Sequence, residues 1–223
     1  ATHGQANQQN AHPHQCGKVS VVHNGIIENY LMLKERLTRQ GHHFCSETDS
    51  EVVPHLINHY LSLDFSSEEA INRALIDIEG SYALAILIGG DHSQLYAVKN
   101  ESPLVISEGN EGLYIASDVL ALDADANKIY YPKNNELIRL GQNGIRRCNK
   151  NKPGAKIHYL KNTKKRVCVD KGNHTSFMEK EIIEQISLFK SFCFDGFNES
   201  FSNINFKKLN KISIVACGTS FYA

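Results

Sequence analysis

Four short polar motifs in the first fifty residues contain the side chains most able to do chemistry. They span residues 2–4, 10–14, 22–25 and 46–49, and read Thr-His-Gly, Asn-Ala-His-Pro-His, Val-His-Asn-Gly and Ser-Glu-Thr-Asp. The amide of Asn24 and the N–H group of Gly25 could point at one carbonyl oxygen, as an oxyanion hole requires. Asn-Gly is also an ordinary tight-turn dipeptide, so these residues alone leave both interpretations open.

Asp49 and His23 each permit a structural and a functional interpretation. Asp49 stands where a helix is predicted to begin, and a carboxylate there can interact with the positive end of the helix dipole. The same carboxylate could bind the ammonium group of a small molecule. His23 stands at the end of a predicted strand, where a histidine is more often a structural residue than a catalyst.

The histidines and cysteines do not predict a metal centre. His12 and His14 are two residues apart, a spacing that can hold a metal ion, but no cysteine or carboxylate is near enough in sequence to complete the site. None of the six cysteines forms a C-x-x-C pair, which argues against a zinc site and against a disulfide framework. We therefore expect no bound metal, no tight zinc uptake and a reducing, cytoplasmic location.

Composition excludes several classes of function. The chain has 223 residues, with 24 Lys+Arg and 24 Asp+Glu, so its formal net charge is zero. A balanced chain lacks the electrostatic signature of a nucleic-acid or membrane-surface protein. No apolar run approaches the ~20 residues that span a membrane. We expect neither nucleic acid nor membrane as a partner.

The first part of the sequence predicts a loop, a short strand and three helices. Residues 1–15 are polar and predict a loop, and the strand 18–23 is expected to end at Asn24-Gly25. Apolar residues then recur at helical spacing, and Gly41 is expected to end this first helix (Ile26, Tyr30, Leu33, Leu37). Capping patterns at 48–51 and 66–69 predict the second helix and a third that runs to Gly80.

The pattern then changes to short strands separated by turn residues, which is typical of antiparallel hairpins. The predicted strands are 82–88, 95–98, 104–107, 113–116, 128–131, 136–140 and 144–147. Residues 177–192 predict a further helix. A set of helices followed by many short strands favours an α+β architecture.

The last twelve residues predict a buried strand that leads into a loop of small residues, Cys217-Gly-Thr-Ser220. Such a loop offers hydroxyl and N–H groups to a phosphate, although it could also be a generic turn between a strand and a helix. Cys217 is expected to be a packing residue and not a nucleophile. Because such a strand needs neighbours in a sheet, we expect the chain to be an internal fragment of a longer protein.

Taken together, the four polar motifs closely resemble the glutaminase domain of the glutamine–fructose-6-phosphate aminotransferase family. Further matches occur at 80–83, 102–106, 116–118, 177–185 and 216–220, so the resemblance extends over essentially the whole chain. Other class II glutamine amidotransferases share several of these motifs. The motifs at 177–185 and 216–220 are the ones that select this family.

The resemblance implies a particular fold and division into domains. Residues 1–165 would form a class II glutaminase domain of the N-terminal-nucleophile type, an αββα sandwich that lacks its N-terminal part. Residues 166–174 would be a linker. Residues 175–223 would contain the first helix and strand of an α/β phosphosugar isomerase (SIS) domain, through which the family forms homodimers.

The resemblance also implies a reaction and the residues that serve it. Glutamine would be hydrolysed, and its ammonia transferred to fructose 6-phosphate to give glucosamine 6-phosphate and glutamate, without a cofactor. Asn24 and Gly25 match the oxyanion hole. The residues that match the glutamine pocket are Thr2, His3, Gly25 and Asp49, and those that match the phosphosugar loop are Thr219 and Ser220.

One essential residue of the family has no match in this sequence. The family's nucleophile is the first cysteine of the mature chain, with its own α-amino group as the base. Residue 1 here is Ala, and none of the six cysteines can substitute, so we expect the chain alone to be inactive. Three alternatives stay open: another class II amidotransferase, a non-catalytic phosphosugar-binding relative and a His-rich metal-binding module.

Overall fold

The computed structural model describes residues 4–90, 94–109, 112–122, 128–141, 144–148, 157–161 and 170–195. The chain divides into two compact units, residues 1–167 and residues 168–223. Thr2, His3, Thr219 and Ser220 lie outside the described residues, as does the predicted C-terminal strand. The domain boundaries implied by the resemblance stay a prediction.

The described part of the first unit contains three α-helices, one turn of 3-10 helix (Val119–Ala121) and ten strands. The helices are α1 (Tyr30–Arg39), α2 (Val52–Ser62) and α3 (Ser67–Asp77). The strands are β1 (His14–Cys16), β2 (Val19–Ile27), β3 (Gly80–Ile88), β4 (Gln94–Asn100), β5 (Val105–Glu108), β6 (Leu113–Ala116), β7 (Lys128–Tyr130), β8 (Ile138–Gly141), β9 (Gly144–Arg147) and β10 (Leu160–Lys161). This content confirms the α+β class.

The strands form two antiparallel sheets that pack face to face. The first sheet has the order β1-β2-β3-β4-β8-β9 and the second has the order β10-β7-β5-β6. One face of the first sheet packs against the three helices through a large apolar core that includes Leu33, Leu56 and Leu84. A smaller cluster joins the two sheets, with Ala97 and Ile106 at its centre. The helices, first sheet and second sheet are thus three successive layers of the described residues.

Helices α1 and α3 follow from local sequence. Leu33 and Leu37 are the buried residues of α1, four positions apart, so one stripe of the helix faces the core. Ser66 caps α3 by accepting a hydrogen bond from the Glu69 N–H group, as its capping pattern predicts. In the second unit, helix α4 (Phe177–Asp195) begins where the sequence predicts it.

Four local predictions were wrong. The strand predicted to end at residue 23 continues through Asn24 and Gly25 to Ile27, so this dipeptide is not a turn. Ile26 was predicted in the first helix but lies in β2, and α1 begins only at Tyr30. The capping box at 48–51 does not form, because the Glu51 side chain bonds to the preceding loop and α2 begins only at Val52. Helix α3 ends at Asp77, and Gly80 is the first residue of β3.

The predicted N-terminal loop also contains a strand. Residues 14–16 form β1, which pairs with residues 19–21 of β2 in a tight hairpin. The polar sequence of this segment hid the strand, because its stability comes from hydrogen bonds to β2 and not from an alternating apolar pattern. Strand β10 was missed for a similar reason, since two residues carry no pattern.

Candidate active site at the end of strand β2

Gly25 occupies a position in β2 that only glycine can take. Its φ is +143°, and a Cβ atom built on it would lie 2.0 Å from the carbonyl oxygen of Ser81. Residue 25 pairs with Tyr82 of β3, so the two backbones approach more closely here than any side chain would permit. The close approach explains why the Asn-Gly dipeptide occurs inside a strand.

The outer edge of β2 is open at this point. Strand β1 pairs with β2 only as far as residue 21, and no other strand of the described residues pairs with that edge beyond it. The Glu28 N–H group points to β3 and binds the Glu79 carbonyl, whereas the Ile27 N–H group points to the open edge. Because N–H groups alternate along a strand, the Gly25 N–H group is expected on the same open edge as that of Ile27.

The side chains of Asn24 and His23 lie on opposite faces of the first sheet. Asn24 is exposed, whereas His23 is 6% exposed and faces the helices. Since side chains alternate along a strand, the Asn24 amide is directed away from the buried histidine. It is therefore accessible to a small molecule at the open edge.

Asp49 comes from a loop that folds over this edge. Its side-chain oxygen Oδ2 accepts a hydrogen bond of 2.7 Å from the Ile27 N–H group, two residues after Gly25. Asp49 is only 4% exposed. A carboxylate in so dry a position is costly unless it has hydrogen-bond donors or a positive partner, and a ligand ammonium group is one such partner. Asp49 is not a helix cap, because α2 begins only at Val52.

Ser50 connects Asp49 to His23. The Ser50 hydroxyl lies 2.8 Å from His23 Nδ1 and donates a longer hydrogen bond, 3.4 Å, to Asp49 Oδ1. A hydroxyl has only one hydrogen, so when Ser50 donates to Asp49, His23 Nδ1 must donate to Ser50. His23 thereby orients the carboxylate through a serine that the sequence analysis did not single out.

A second set of hydrogen bonds holds the rest of this loop. Glu51 accepts hydrogen bonds from the N–H groups of Cys45 and Ser46, at 2.8 and 2.7 Å. Burial alone would raise the pKa of Glu51, but these N–H groups and the Ser46 hydroxyl lower it overall. The Ser46 hydroxyl also contacts that of Thr48, which lies 3.1 Å from His14 Nε2. The loop therefore has a defined shape before any ligand binds.

Asn10 attaches the N-terminal segment to the same loop. Its Oδ1 accepts a hydrogen bond from the Glu47 N–H group at 3.0 Å, and its Nδ2 donates to the Gln5 carbonyl at 2.9 Å. Asn10 is 6% exposed, so both bonds are shielded from water. The segment that leads back towards Thr2 and His3 is thus held beside residues 46–51.

The His23 imidazole is buried and uncharged. Burial, with smaller contributions from His12 and His14, lowers the pKa of His23 from 6.5 to about 4, and Asp49 partly opposes the shift. Within the described residues, Nε2 of His23 has no hydrogen-bond partner. Burial also lowers the pKa of His12, and burial together with the His12 imidazole lowers the pKa of His14. The rings of His12 and His14 meet edge to face at 5.1 Å.

The depressed pKa of His23 predicts a pH-dependent stability. The unfolded chain gains a proton on this residue near pH 6.5, but the folded chain gains it only near pH 4. The stabilisation is therefore fully present above pH 6.5 and is lost progressively as the pH falls to 4, by up to about 3 kcal/mol. Urea unfolding between pH 7.5 and pH 4 should show a smaller loss of stability for His23→Gln than for the native sequence.

Exposed His43 provides the control for this experiment, and His43→Gln should keep the pH dependence of the native sequence. Equal losses of stability for His23→Gln and the native sequence would contradict the assignment of His23.

The fold thus brings three of the predicted site residues, Asn24, Gly25 and Asp49, to one edge of the first sheet. Comparison with known proteins identifies the family of the chain. Residues 2–124 match the model of a family described as a glutamine amidotransferase domain. The chain belongs to this family.

Curated relatives of this amidotransferase chain confirm the resemblance stated from its motifs. The glutamine–fructose-6-phosphate aminotransferase of Clostridium tetani is 39% identical over the whole chain. The enzymes of the same name from Brucella suis and Rhizobium meliloti are 34% and 36% identical over the whole chain. The chain spans 38% of the length of each of these relatives.

Solved structures of amidotransferases share the fold of this chain. The glutamine phosphoribosylpyrophosphate amidotransferase from B. subtilis, complexed with ADP and GMP, has a TM-score of 0.54 and 23% identity. That match covers 69% of this chain and 34% of the other. The allosteric regulatory enzyme of purine biosynthesis has a TM-score of 0.52 and 23% identity, over 64% of this chain and 31% of the other. These similarities support the class II amidotransferase fold.

Among the described residues, no helix combines the length and the apolar character that crossing a bilayer would require.

Proposed function

We propose that this chain is the glutamine-hydrolysing part of a glutamine–fructose-6-phosphate aminotransferase. The whole protein would release ammonia from glutamine and transfer it to fructose 6-phosphate, giving glucosamine 6-phosphate and glutamate. Support comes from three relatives of that name that are 34–39% identical over the full length of the chain. No cofactor takes part in the proposed reaction.

The observation that carries the proposal is the buried Asp49 carboxylate beside the open edge of β2. Glutamine has an α-ammonium group at one end and an amide at the other. We assign the ammonium group to Asp49 and the amide oxygen to Asn24 and Gly25, where two N–H donors would stabilise the negative charge of a tetrahedral intermediate. The hydrogen bond from Ile27 to Asp49 at 2.7 Å keeps these two ends of the site together.

The proposed nucleophile is a cysteine that carries a free α-amino group, as the resemblance implies. The cysteines of this chain lie at interior positions, so none has such a group. Burial raises the pKa of Cys16, and it raises that of Cys148 to about 11, so neither thiol ionises readily at neutral pH. We therefore expect the 223-residue chain alone to hydrolyse no glutamine, whereas the whole protein does.

Residues 1–165 belong to the glutaminase domain in this proposal. Residues 166–174 are a linker, and residues 175–223 begin the phosphosugar isomerase (SIS) domain. Thr219 and Ser220 would bind the phosphate of fructose 6-phosphate, and the isomerase domain would carry a homodimer interface. Thr2 and His3 would line the pocket for the glutamine carboxylate. The match of the relatives over the whole chain, including this last segment, supports the assignment.

A second candidate is another class II amidotransferase that uses a different ammonia acceptor. The observation in its favour is that solved structures with this fold include an enzyme named for phosphoribosylpyrophosphate. The glutamine end of the site would be common to both candidates. Only the identity of the acceptor distinguishes them.

The test is to follow the amide nitrogen of glutamine. The whole protein is incubated with glutamine labelled with ¹⁵N in its amide and with fructose 6-phosphate, and the products are analysed by mass spectrometry. We expect glutamate and glucosamine 6-phosphate that contains ¹⁵N, and far less of both with Asn24→Ala. Glutamate without labelled sugar would favour the second candidate, and absence of both products would favour a non-catalytic binding protein.

A further inference from the structure

A cluster of three metal-binding side chains lies apart from the residues assigned to glutamine. One potential ligand atom from each of Cys16, His42 and His55 lies within 4.8 Å of the other two. Cys16 ends β1, His42 follows α1, and His55 belongs to α2, so three separate elements converge here. Cys16 and His42 are partly exposed, which leaves a path for a small ion.

The geometry of the cluster is close to that of a tetrahedral zinc site. Nδ1 of His42 and Nδ1 of His55 face each other at 2.9 Å. Zinc binds imidazole nitrogen at about 2.0–2.1 Å, and two such ligands on a tetrahedral ion stand about 3.3 Å apart. To bind zinc, the two Nδ1 atoms would have to move apart by about 0.4 Å. Small rotations of the two rings would allow this.

The surroundings of His55 resemble those of a metal-binding histidine. Its Nε2 lies 3.7 Å from Oε1 of Glu51, so Nδ1 is the nitrogen directed at the cluster. At 3.7 Å this is an electrostatic contact between two buried side chains and is longer than a hydrogen bond. A carboxylate behind a histidine makes the other ring nitrogen a better ligand. The Phe44 ring stacks on His55 at 4.2 Å and limits its rotation.

We propose that Cys16, His42 and His55 form a binding site for Zn²⁺, with water in the fourth position. One thiolate and two imidazoles are a ligand set that zinc accepts, and three protein ligands leave one tetrahedral position open. The sequence analysis expected no metal because His12 and His14 have no further ligand nearby in sequence and no two cysteines form a C-x-x-C pair, whereas the ligands proposed here are far apart in sequence. The site would fix the β1 hairpin to α2, and through Glu51 it would support the loop that carries Asp49.

The proposal is tested by zinc titration of the metal-free whole protein in competition with a chromophoric chelator. We expect one zinc ion per chain, held by Cys16, His42 and His55. Mutation of a residue that supports a metal ligand typically weakens metal affinity by about 10–100-fold. Loss of a ligand itself should cost more, so Cys16→Ser and His55→Gln should each weaken zinc affinity by at least about 100-fold. The matched controls are Cys45→Ser and His43→Gln, exposed residues close to the cluster in sequence, and they should bind zinc as the native protein does.

Cobalt provides a second readout, whose decisive result comes from the native protein. Co²⁺ bound to a thiolate gives a sulfur-to-metal charge-transfer absorption, which the native protein should show and Cys16→Ser should lack. Absence of this absorption in the native protein would overturn the proposal. So would zinc binding that is unchanged in Cys16→Ser and His55→Gln, or that falls equally in the two controls.

Discussion

Replacement of Gly25 by alanine is expected to lower the free energy of unfolding by at least about 4 kcal/mol and to abolish glutamine hydrolysis by the whole protein. The new Cβ atom would lie 2.0 Å from the Ser81 carbonyl oxygen, 2.8 Å from the Ser81 carbonyl carbon and 2.9 Å from the Tyr82 Cα atom. All three are backbone atoms of β3, so no side-chain rotation can relieve the clash. Strands β2 and β3 would have to separate, which would disrupt the oxyanion site. Urea unfolding and glutamate release measure the two effects.

Gly90 offers a matched control for this substitution. Its φ is +135°, close to that of Gly25, but a Cβ atom built on it would have no neighbour within 4 Å. Gly90→Ala should therefore lower the free energy of unfolding only through backbone strain, by about 1–3 kcal/mol. This variant should retain glutamine hydrolysis. Equal losses of stability in the two variants would show that the contact with β3 is not what requires glycine at residue 25.

The elements that local sequence predicted well are those whose stability is largely local. The apolar stripe of α1 and the Ser66 cap of α3 depend on residues three or four apart, so the sequence contains the whole signal. The strands from β3 to β9 were also predicted, because turn residues separate short apolar runs. The pairing of these strands into two sheets was implied only by the resemblance.

The failures concern residues whose role depends on a distant partner. The sequence at 48–51 fits a capping box, but Glu51 instead bonds to Cys45 and Ser46 and organises the loop before α2. Asn24-Gly25 fits a turn, but the close approach of Ser81 in β3 keeps it inside a strand. A sequence pattern cannot show which of two satisfactory hydrogen-bond arrangements the tertiary fold selects.

The candidate site was predicted only in part for the same reason. Asn24, Gly25 and Asp49 were identified through the resemblance, but the bond from Ile27 to Asp49 and the contact between Ser50 and His23 are long-range. The Cys16–His42–His55 cluster was missed because its members come from three elements.

The central claim is that Asp49 binds the ammonium group of glutamine, and Asp49→Asn tests it most directly. The asparagine side chain can still accept the hydrogen bond from Ile27, so the loop should keep its place while the negative charge is lost. Removing one partner of a buried charge pair costs about 2–5 kcal/mol, which corresponds to a rise in KM for glutamine of at least about 30-fold. Glu47→Gln is the control, because Glu47 is an exposed carboxylate of the same loop.

The measurement is glutamate release by the whole protein as a function of glutamine concentration, repeated with glutaramic acid, which is glutamine without its α-ammonium group. We predict that Asp49→Asn raises KM for glutamine by at least about 30-fold but leaves the poor hydrolysis of glutaramic acid unchanged. Glu47→Gln should behave as the native protein with both substrates. An unchanged KM for glutamine in Asp49→Asn, or an equal loss with both substrates, would contradict the assignment of Asp49.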